Sequence, residues 1–287
     1  MPELPEVESI RKVLMDRVVG LSIRSVEVLR NDVIKSIKNA PMELPREIDD
    51  QGLLVGGSLV DVVRHGKRLA MIVEDGRILE FGLGMSGLIR FEPEPSTGCP
   101  GPHEHVSWEL ETPEGSGAGR LVWKDPRRFG GITPIENLER LNTIHWSHLG
   151  PDALGVSEEV FIERIKAGQA PIKARLLNQG VLAGVGNIYA DEALYQAGIN
   201  PRRSAGRTSA ARIAELRTRL LEILRQAICA GGSSIRTHRD PEGRSGSYQD
   251  AHAVYGRQNE PCRACSQPIR ARVLAGRTTH WCPRCQS

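Results

Sequence analysis

Apolar side chains recur every three or four positions over residues 5–18, and this spacing predicts a first helix. From residue 23 to about residue 135 the pattern changes to short β-rich runs separated by Gly, Asp, Asn and Pro. The clearest of these runs cover residues 25–29, 59–63 and 69–73. Such runs are typical of an all-β sandwich or barrel. A loop rich in Pro and Gly interrupts them over residues 92–102.

The second half of the chain has a helical pattern. After Leu149-Gly150-Pro151 the apolar spacing predicts four helices, over residues 157–167, 172–177, 187–197 and 209–230. The pair Gly231-Gly232 is expected to end the last helix in a left-handed conformation. Residues 233–250 are polar without a period, which predicts a loop.

Length and composition fit a globular chain of two domains, with 287 residues of which 39% are hydrophobic. No stretch approaches the ~20 apolar residues that span a bilayer, and no basic segment followed by an apolar run marks a secretory signal. We therefore expect no membrane partner and a cytoplasmic location. The net charge of +3 says little, but arginines are concentrated between Arg202 and Arg284, which suits a polyanionic partner. The alternative for the arginines of the last helix is a solvated helix face.

Four of the six cysteines form two Cys-x2-Cys pairs, Cys262 with Cys265 and Cys282 with Cys285. Two such pairs complete a closed tetrahedral site of four thiolates, which predicts one structural zinc ion with no open position for catalysis. The zinc would fold a tail that is too short to build a core.

Between the two cysteine pairs the sequence predicts two strands with a turn near Gly276. This hairpin would present Arg277 at its tip, where the alternative is an ordinary solvated turn residue. Of the other two cysteines, we expect Cys99 to be an exposed loop thiol and Cys229 to be a buried helix residue.

The chain begins with a proline after Met1, and removal of Met1 would leave Pro2 with a free secondary amine. An α-amino group has a pKa near ~8, so a sizeable fraction is unprotonated at neutral pH and nucleophilic. Attack on a sugar carbon would displace a base and leave an iminium, with Glu3 placed to move protons beside it. The alternative is structural: Pro5 at the first turn of a helix and carboxylates at its N-terminus.

Five segments, in this order, resemble the formamidopyrimidine-DNA glycosylase (Fpg) family of bacterial base-excision repair enzymes. They are Pro2-Glu3-Leu4-Pro5-Glu6-Val7-Glu8, Leu83-Gly84-Met85-Ser86-Gly87, Asp125-Pro126-Arg127-Arg128-Phe129-Gly130, Gly184-Val185-Gly186-Asn187-Ile188-Tyr189 and the four-cysteine tail. The resemblance covers residues 2–286. It implies an α+β fold with three parts: a catalytic N-terminal helix and β-sandwich (residues 1–150), a helix–two-turns–helix domain with a lesion-recognition loop (151–251), and a β-hairpin zinc finger (252–286).

The resemblance also implies catalytic roles. Pro2 is expected to be the Schiff-base nucleophile at the sugar C1′, and Glu3 the acid that protonates the ring oxygen. Glu6 is expected to order water and the N-terminus, and Lys67 to contact phosphate near the lesion and support elimination. Arg277 is expected to hold the phosphates that flank the lesion and to assist the second elimination.

Further residues match contacts to DNA. His103 and Arg127 match contacts to the DNA backbone, and Asn187 lies at a turn where its amide and the N–H groups of a helix N-terminus can hold phosphate. Lys173 matches a lysine that is linked to recognition of oxidised guanine. One basic contact that the family pattern places before Lys173 is replaced by Gly168 here, and Lys166 is the candidate substitute.

Three residues match the set that fills the gap left by a flipped-out base: Met85, Arg127 and Phe129. For Met85 and Phe129 the alternative is ordinary core packing, but each lies next to glycine in a loop-like motif. The recognition loop lacks an aromatic residue expected near His238, which is a departure from the family pattern in the loop that closes over the flipped base.

The resemblance predicts a monomeric glycosylase that removes oxidised purines, such as 8-oxoguanine and formamidopyrimidines, from damaged double-stranded DNA and cleaves the strand by β,δ-elimination. The alternative enzyme is of the endonuclease VIII type, which prefers oxidised pyrimidines and usually begins Pro-Glu-Gly-Pro-Glu. Leu4 in the third position of this start favours the purine-specific type. A zinc-dependent DNA-binding protein without catalysis is the non-enzyme alternative, against which Pro2, Glu3 and Lys67 argue.

Overall fold

The computed structural model describes residues 2–35, 51–93, 100–234 and 239–287. Its contacts divide the chain into two compact units. One contains Pro2, Glu6–Ser147 and Ser234–Gly246, and the other contains Glu3–Pro5, His148–Ser233 and Ser247–Ser287. In these ranges no helix is both long enough and apolar enough to cross a bilayer. The expectations for Cys99 and for the position near His238 lie outside the described residues.

The first unit is a helix on a β-sandwich. Within the described residues, helix α1 (Leu4–Val18) is followed by eight antiparallel strands: β1 (Ser22–Val28), β2 (Leu59–His65), β3 (Arg68–Val73), β4 (Ile78–Gly82), β5 (Leu88–Glu92), β6 (Glu104–Glu111), β7 (Gly117–Lys124) and β8 (Gly131–Ile135). They form two four-stranded sheets in the orders β1-β6-β7-β5 and β2-β3-β4-β8. A one-turn helix, α2 (Leu138–Arg140), follows β8.

One apolar core joins both sheets to α1. The apolar stripe of α1, with Val7, Ile10 and Leu14 fully buried, packs in the same cluster as Trp108 of β6 and Phe81 of β4. Because alternate strand positions face this core, the sequence shows the short β-rich runs from which a sandwich is predicted.

The second unit is helical and carries the cysteine tail. Its helices are α3 (Glu158–Lys166), α4 (Ile172–Leu177), α5 (Asn187–Gln196) and α6 (Ala210–Cys229). The Ser157 and Ser209 side chains cap α3 and α6 by accepting hydrogen bonds from Val160 N and Arg212 N. Gly231 and Gly232 follow α6 with φ of 73° and 81°, as predicted.

The tail ends in a two-stranded hairpin, β9 (Arg270–Leu274) paired with β10 (Arg277–Trp281). The α+β class, the N-terminal helix with its β-sandwich, the helical domain and the β-hairpin are thus confirmed. One expectation is wrong: Cys229 is exposed, because the last turn of α6 leaves the apolar face that buries Leu224 and Ala227.

Candidate active site and zinc centre

The Glu3 carboxylate caps the N-terminus of α5. Its Oε1 accepts a hydrogen bond from Ile188 N at 3.0 Å, and its Oε2 lies 3.5 Å from Tyr189 N. The side chain is only 3% exposed. A buried carboxylate is stabilised here by unpaired helix N–H groups and by the positive end of the helix dipole.

The close approach of Glu3 depends on a glycine that the sequence motif contains but does not explain. A Cβ on Gly186 would lie 2.3 Å from Glu3 Cδ and 2.5 Å from its Oε1. Gly186 has φ −127° and ψ −160°, which any residue adopts, so space and not backbone conformation requires glycine. Gly186 is therefore a site residue that sequence reasoning missed, and its only signal is its place directly before Asn187.

The other predicted catalytic residues near the N-terminus lie in the first unit. Pro2 is buried, and Glu6 in the first turn of α1 is 2% exposed. Lys67 lies in the tight turn between β2 and β3, after Gly66 with φ 58°, and is partly exposed. A hairpin tip of this kind presents a lysine side chain at the end of a rigid pair of strands.

The turn that carries Lys67 is tied to α1 through an arginine. Arg64 on β2 donates to Gly66 O at 2.9 Å and to Glu8 Oε2 at 2.8 Å, and Arg11 binds the same carboxylate at 2.7 Å. Burial raises the pKa of Glu8, but the two guanidiniums outweigh burial and hold that pKa below its ordinary value. The carboxylate therefore stays charged and fixes the base of the hairpin.

The three predicted gap-filling residues lie on two loops held together by one aspartate. Ser86 Oγ donates to Asp125 Oδ1 at 2.5 Å, and Gly130 N donates to Asp125 Oδ2 at 2.7 Å. Arg127 N in turn donates to Ser86 Oγ at 3.2 Å. Because Asp125 is fully buried, it fixes the loop after β4 against the loop after β7.

These loops expose the three side chains instead of packing them into a core. Met85 is 42% exposed and Phe129 is 60% exposed, and Arg127 stacks over the Phe129 ring at 4.5 Å. A Met or Phe side chain packed in a core would have an exposed fraction near zero. Ordinary core packing therefore does not describe Met85 or Phe129. An apolar pair with an adjacent guanidinium, exposed on rigid loops, is an arrangement suited to insertion between bases.

His103 reaches the same aspartate from a third loop. It is exposed, in the left-handed region with φ 65°, and its carbonyl accepts from Asp125 N at 3.2 Å. His105 Nε2 lies 2.9 Å from Asp125 O. The sequence motif contains Asp125, but only the structure shows that it organises three loops, because its partners are distant along the chain.

Lys173 has a different setting from the one expected. It is fully buried, with its Nζ 2.6 Å from Asp191 Oδ1, 2.8 Å from Thr279 Oγ1 and 3.4 Å from Thr278 O. Burial lowers the pKa of the Lys173 ammonium, and the Asp191 carboxylate opposes this shift. The placement does not match a direct DNA contact, because an ammonium without exposed surface and with three protein partners has none left for phosphate or base.

Asn187 and Arg277 lie on neighbouring elements of the second unit. Asn187 begins α5, and its Nδ2 donates to Thr278 O at 2.9 Å. Arg277 is the first residue of β10, paired with Leu274, and its side chain is exposed. Gly168 lies just after α3, whose last residue is the partly exposed Lys166.

Two buried carboxylates in the middle of α5, also missed from sequence, hold the cysteine tail. Asp191 accepts from His280 N at 2.9 Å, and Glu192 accepts from the backbone N–H groups of Ala253, Val254 and Tyr255 at 2.7–2.9 Å. Burial raises the pKa of Glu192, which those hydrogen bonds partly oppose. Their one signal is an adjacent pair of acids inside an otherwise apolar helix.

The four cysteines form the predicted metal site. The Sγ atoms of Cys262, Cys265, Cys282 and Cys285 all lie within 4.8 Å of one another, with pairs at 3.5 and 3.9 Å. A zinc–sulfur distance of about 2.3 Å in a tetrahedron puts sulfurs about 3.8 Å apart, so the cluster fits zinc. The Tyr195 hydroxyl lies 3.3 Å from Cys262 Sγ. Four protein ligands leave no open position, and the site holds one structural zinc ion.

Three family models match the chain in succession. They describe the formamidopyrimidine-DNA glycosylase N-terminal domain (residues 1–132), the formamidopyrimidine-DNA glycosylase H2TH domain (149–239) and a zinc finger found in FPG and IleRS (259–287). A formamidopyrimidine-DNA glycosylase of Rhodospirillum rubrum is 38% identical over 295 residues, which cover 100% of both chains.

Solved structures agree. A complex between the Lactococcus lactis Fpg and abasic-site DNA matches with a TM-score of 0.85 and 31% identity, over 99% of each chain. A structure of MutM with DNA that contains carbocyclic 8-oxo-G matches with a TM-score of 0.84 and 32% identity, over 100% of each chain.

The fold and these matches define a zinc-finger DNA glycosylase of base-excision repair. The chain belongs to the formamidopyrimidine-DNA glycosylase (Fpg) family. It is therefore a DNA-binding repair enzyme with glycosylase and AP lyase activity, which confirms the class of enzyme and the kind of partner predicted from sequence.

Proposed function

We propose that the chain excises oxidised purines, 8-oxoguanine and formamidopyrimidines among them, from duplex DNA and removes the remaining sugar by β,δ-elimination. The observation that carries the proposal is the buried Glu3 carboxylate on the N-terminus of α5, directly after a proline whose amine becomes free when Met1 is removed. A nucleophilic amine and a fixed carboxylate on adjacent residues supply the two groups that the reaction needs.

The proposed chemistry begins at C1′. The Pro2 nitrogen forms a bond to C1′ and gives up its N–H proton, and the base leaves with the electrons of the glycosidic bond and takes up a proton in exchange. Glu3 protonates the ring oxygen, so the sugar opens to an iminium on Pro2, while Glu6 orders water and the N-terminus. Loss of a C2′ proton expels the 3′ phosphate, and loss of a C4′ proton expels the 5′ phosphate. Hydrolysis frees Pro2 and leaves a one-nucleotide gap with phosphate at both ends.

The target base must leave the helix before Pro2 reaches C1′, at a cost of a few kcal/mol. We assign Met85 and Phe129 to the space left in the stack, and Arg127 to hydrogen bonds with the orphaned base. Their exposure on loops fixed by Asp125 supports this role, since a wedge must be both accessible and rigid.

The remaining polar residues serve the phosphate backbone in this proposal. Lys67 at the β2–β3 hairpin tip and the exposed His103 are presented by the first unit, and Asn187 and Arg277 by the second. Phosphate contacts of this kind supply most of the affinity for DNA. Log Kd against log salt concentration should therefore be steep, and a flat response would contradict these assignments.

A comparison of lesions tests the specificity. Single-turnover reactions on matched duplexes with 8-oxoguanine or thymine glycol should show faster release of the oxidised purine. Faster release of thymine glycol would favour the endonuclease VIII type of activity. Chains that retain Met1, in which the Pro2 nitrogen is an amide, should show neither base release nor strand cleavage on either duplex, and full activity of such chains would overturn the proposed nucleophile.

We also propose that the chain acts as a monomer and that residues 1–150, 151–251 and 252–286 are its functional domains. Sedimentation equilibrium of the free protein and of its DNA complex tests the monomeric state. A mass of two chains per duplex would contradict a monomer.

A further inference from the structure

The fully buried ammonium of Lys173 connects helix α5 to the strand that carries Arg277. Lys173 Nζ pairs with Asp191 Oδ1 at 2.6 Å and donates to Thr279 Oγ1 at 2.8 Å. Both charged side chains have no exposed surface. A buried pair of this kind contributes little net stability but fixes geometry, because each charge demands its partner.

The chain of contacts continues to Arg277 itself. The Thr279 hydroxyl, which accepts from Lys173, donates to the backbone carbonyl of Arg277 at 3.2 Å. The Thr278 carbonyl accepts a hydrogen bond from Asn187 Nδ2 at 2.9 Å and lies 3.4 Å from Lys173 Nζ. The exposed guanidinium of Arg277 thus extends from a strand whose backbone is fixed by hydrogen bonds that involve residues of α4 and α5.

The same helix holds the carboxylate that the proposed function assigns to ring opening. Glu3 binds Ile188 N in the first turn of α5, and Asp191 lies one turn further along. One short, rigid helix therefore carries Glu3 at its end and, through Asp191, Lys173 and Thr279, the backbone of Arg277.

We propose that the buried chain Asp191–Lys173–Thr279 positions Arg277 over the DNA phosphates, so that Lys173 and Thr279 are positioning residues and contact neither DNA nor sugar. The inference rests on the proposed function, which assigns Arg277 to the flanking phosphates. It gives Lys173 an indirect role in place of the expected DNA contact linked to recognition of oxidised guanine.

Thr279 gives the cleanest test. Substitution of Lys173 would leave Asp191 buried without a counter-ion and endanger the fold. Thr279→Val keeps the shape and leaves the ion pair intact but removes the hydroxyl, whereas Thr279→Ser keeps the hydroxyl and serves as the matched control. Zinc content and melting temperature are measured for each variant, since Thr279 lies on the zinc-finger hairpin.

The primary readout is a double-mutant cycle with Arg277→Ala on binding to a duplex that contains tetrahydrofuran, a stable abasic analogue. Thr279→Val should weaken binding about three- to tenfold, as expected for loss of a buried hydrogen bond that orients a charged group. Thr279→Ser should bind like the unmodified protein. In the Arg277→Ala background, Thr279→Val should change binding less than about twofold. Equal weakening in both backgrounds, or no weakening in either, would overturn the proposal.

A second readout separates the reaction steps on a natural abasic duplex. Thr279→Val should slow conversion of the β-elimination product to the δ-elimination product while the first cleavage keeps its rate. Equal slowing of both steps would overturn the positioning role, because a general loss of structure slows both. If the unmodified protein stops after β-elimination, the proposed δ step fails, and the binding cycle still decides the role of Lys173 and Thr279.

Discussion

Gly186→Ala adds one methyl group where the Glu3 carboxylate binds the N-terminus of α5. The new Cβ would lie 2.3 Å from Glu3 Cδ, 2.5 Å from Oε1 and 2.7 Å from Cγ. Real Cβ atoms do not approach carbon so closely, so the carboxylate must move by about 1 Å. Alanine adopts the local backbone conformation without strain, so the effect of the substitution is confined to this contact.

The magnitude follows from what the movement breaks. Loss of the charge-assisted hydrogen bond from Ile188 N costs about 1.5–3 kcal/mol, and loss of the interaction with the helix dipole costs about 0.3–1 kcal/mol. We therefore expect the free energy of unfolding to fall by about 2–4 kcal/mol. A displacement of about 1 Å in a reacting group lowers rates on the order of 100-fold, which we expect for opening of the sugar ring by Glu3 and therefore for strand cleavage.

Chemical denaturation measures the stability, and single-turnover strand cleavage measures the rate. Gly155→Ala is the matched control, because Gly155 is in the same unit, has no left-handed φ and would place its Cβ within 4 Å of no other atom. The control should match the unmodified protein in both assays. Gly186→Ala with unchanged stability and rate would refute the role of the Glu3–α5 contact.

The other predictions concern the wedge, the zinc ion and acid stability. Phe129→Ala should change the free energy of unfolding by less than ~1 kcal/mol, since the ring is 60% exposed, but should lower the rate of excision about tenfold or more. A loss of stability as large as that for a buried core Phe would contradict its role as a wedge. Extraction of zinc with a thiol-reactive reagent should release one ion per chain and abolish DNA binding, and binding that survives extraction would exclude the finger from the DNA interface. Burial lowers the pKa of His252 to about 4, so the unfolded chain binds more protons between pH 6.5 and 4, and up to about 3 kcal/mol of stability is lost as pH falls through that window. Thermal unfolding from pH 7 to 4 should show that loss, and His252→Gln should reduce it; an equal pH dependence in both proteins would contradict the assignment.

Local sequence patterns predicted most of the fold. Helix α4 has the predicted bounds, α5 is one residue shorter at its C-terminal end, and α6 is one residue shorter at each end. The agreement is close because helix periodicity and caps are encoded within a few residues. The zinc site could be predicted for the same reason, as two short cysteine pairs specify it. Cys229 was misjudged because its burial depends on where a helix leaves its neighbours, which a periodic pattern does not show.

The candidate site was less accessible to sequence reasoning, because its geometry depends on contacts between distant segments. Asp125 binds Ser86, 39 positions away, and Lys173 binds Thr279, 106 positions away. A lone lysine in sequence is most readily interpreted as a surface charge, whereas Lys173 is fully buried. The need for glycine at position 186 likewise depends on a carboxylate that arrives from the other end of the chain.

The central claim is that the Pro2 amine is the nucleophile. Intact-mass measurement first gives the proportion of chains that lack Met1. Protein without Met1 is then incubated with an 8-oxoguanine duplex and sodium borohydride, which reduces an iminium to a stable C–N single bond. After digestion, mass spectrometry of the adduct should locate the sugar on Pro2, and chains that retain Met1, in which the Pro2 nitrogen is an amide, should form no such adduct. Strand cleavage without an adduct, or an adduct on a lysine such as Lys67, would contradict the claim.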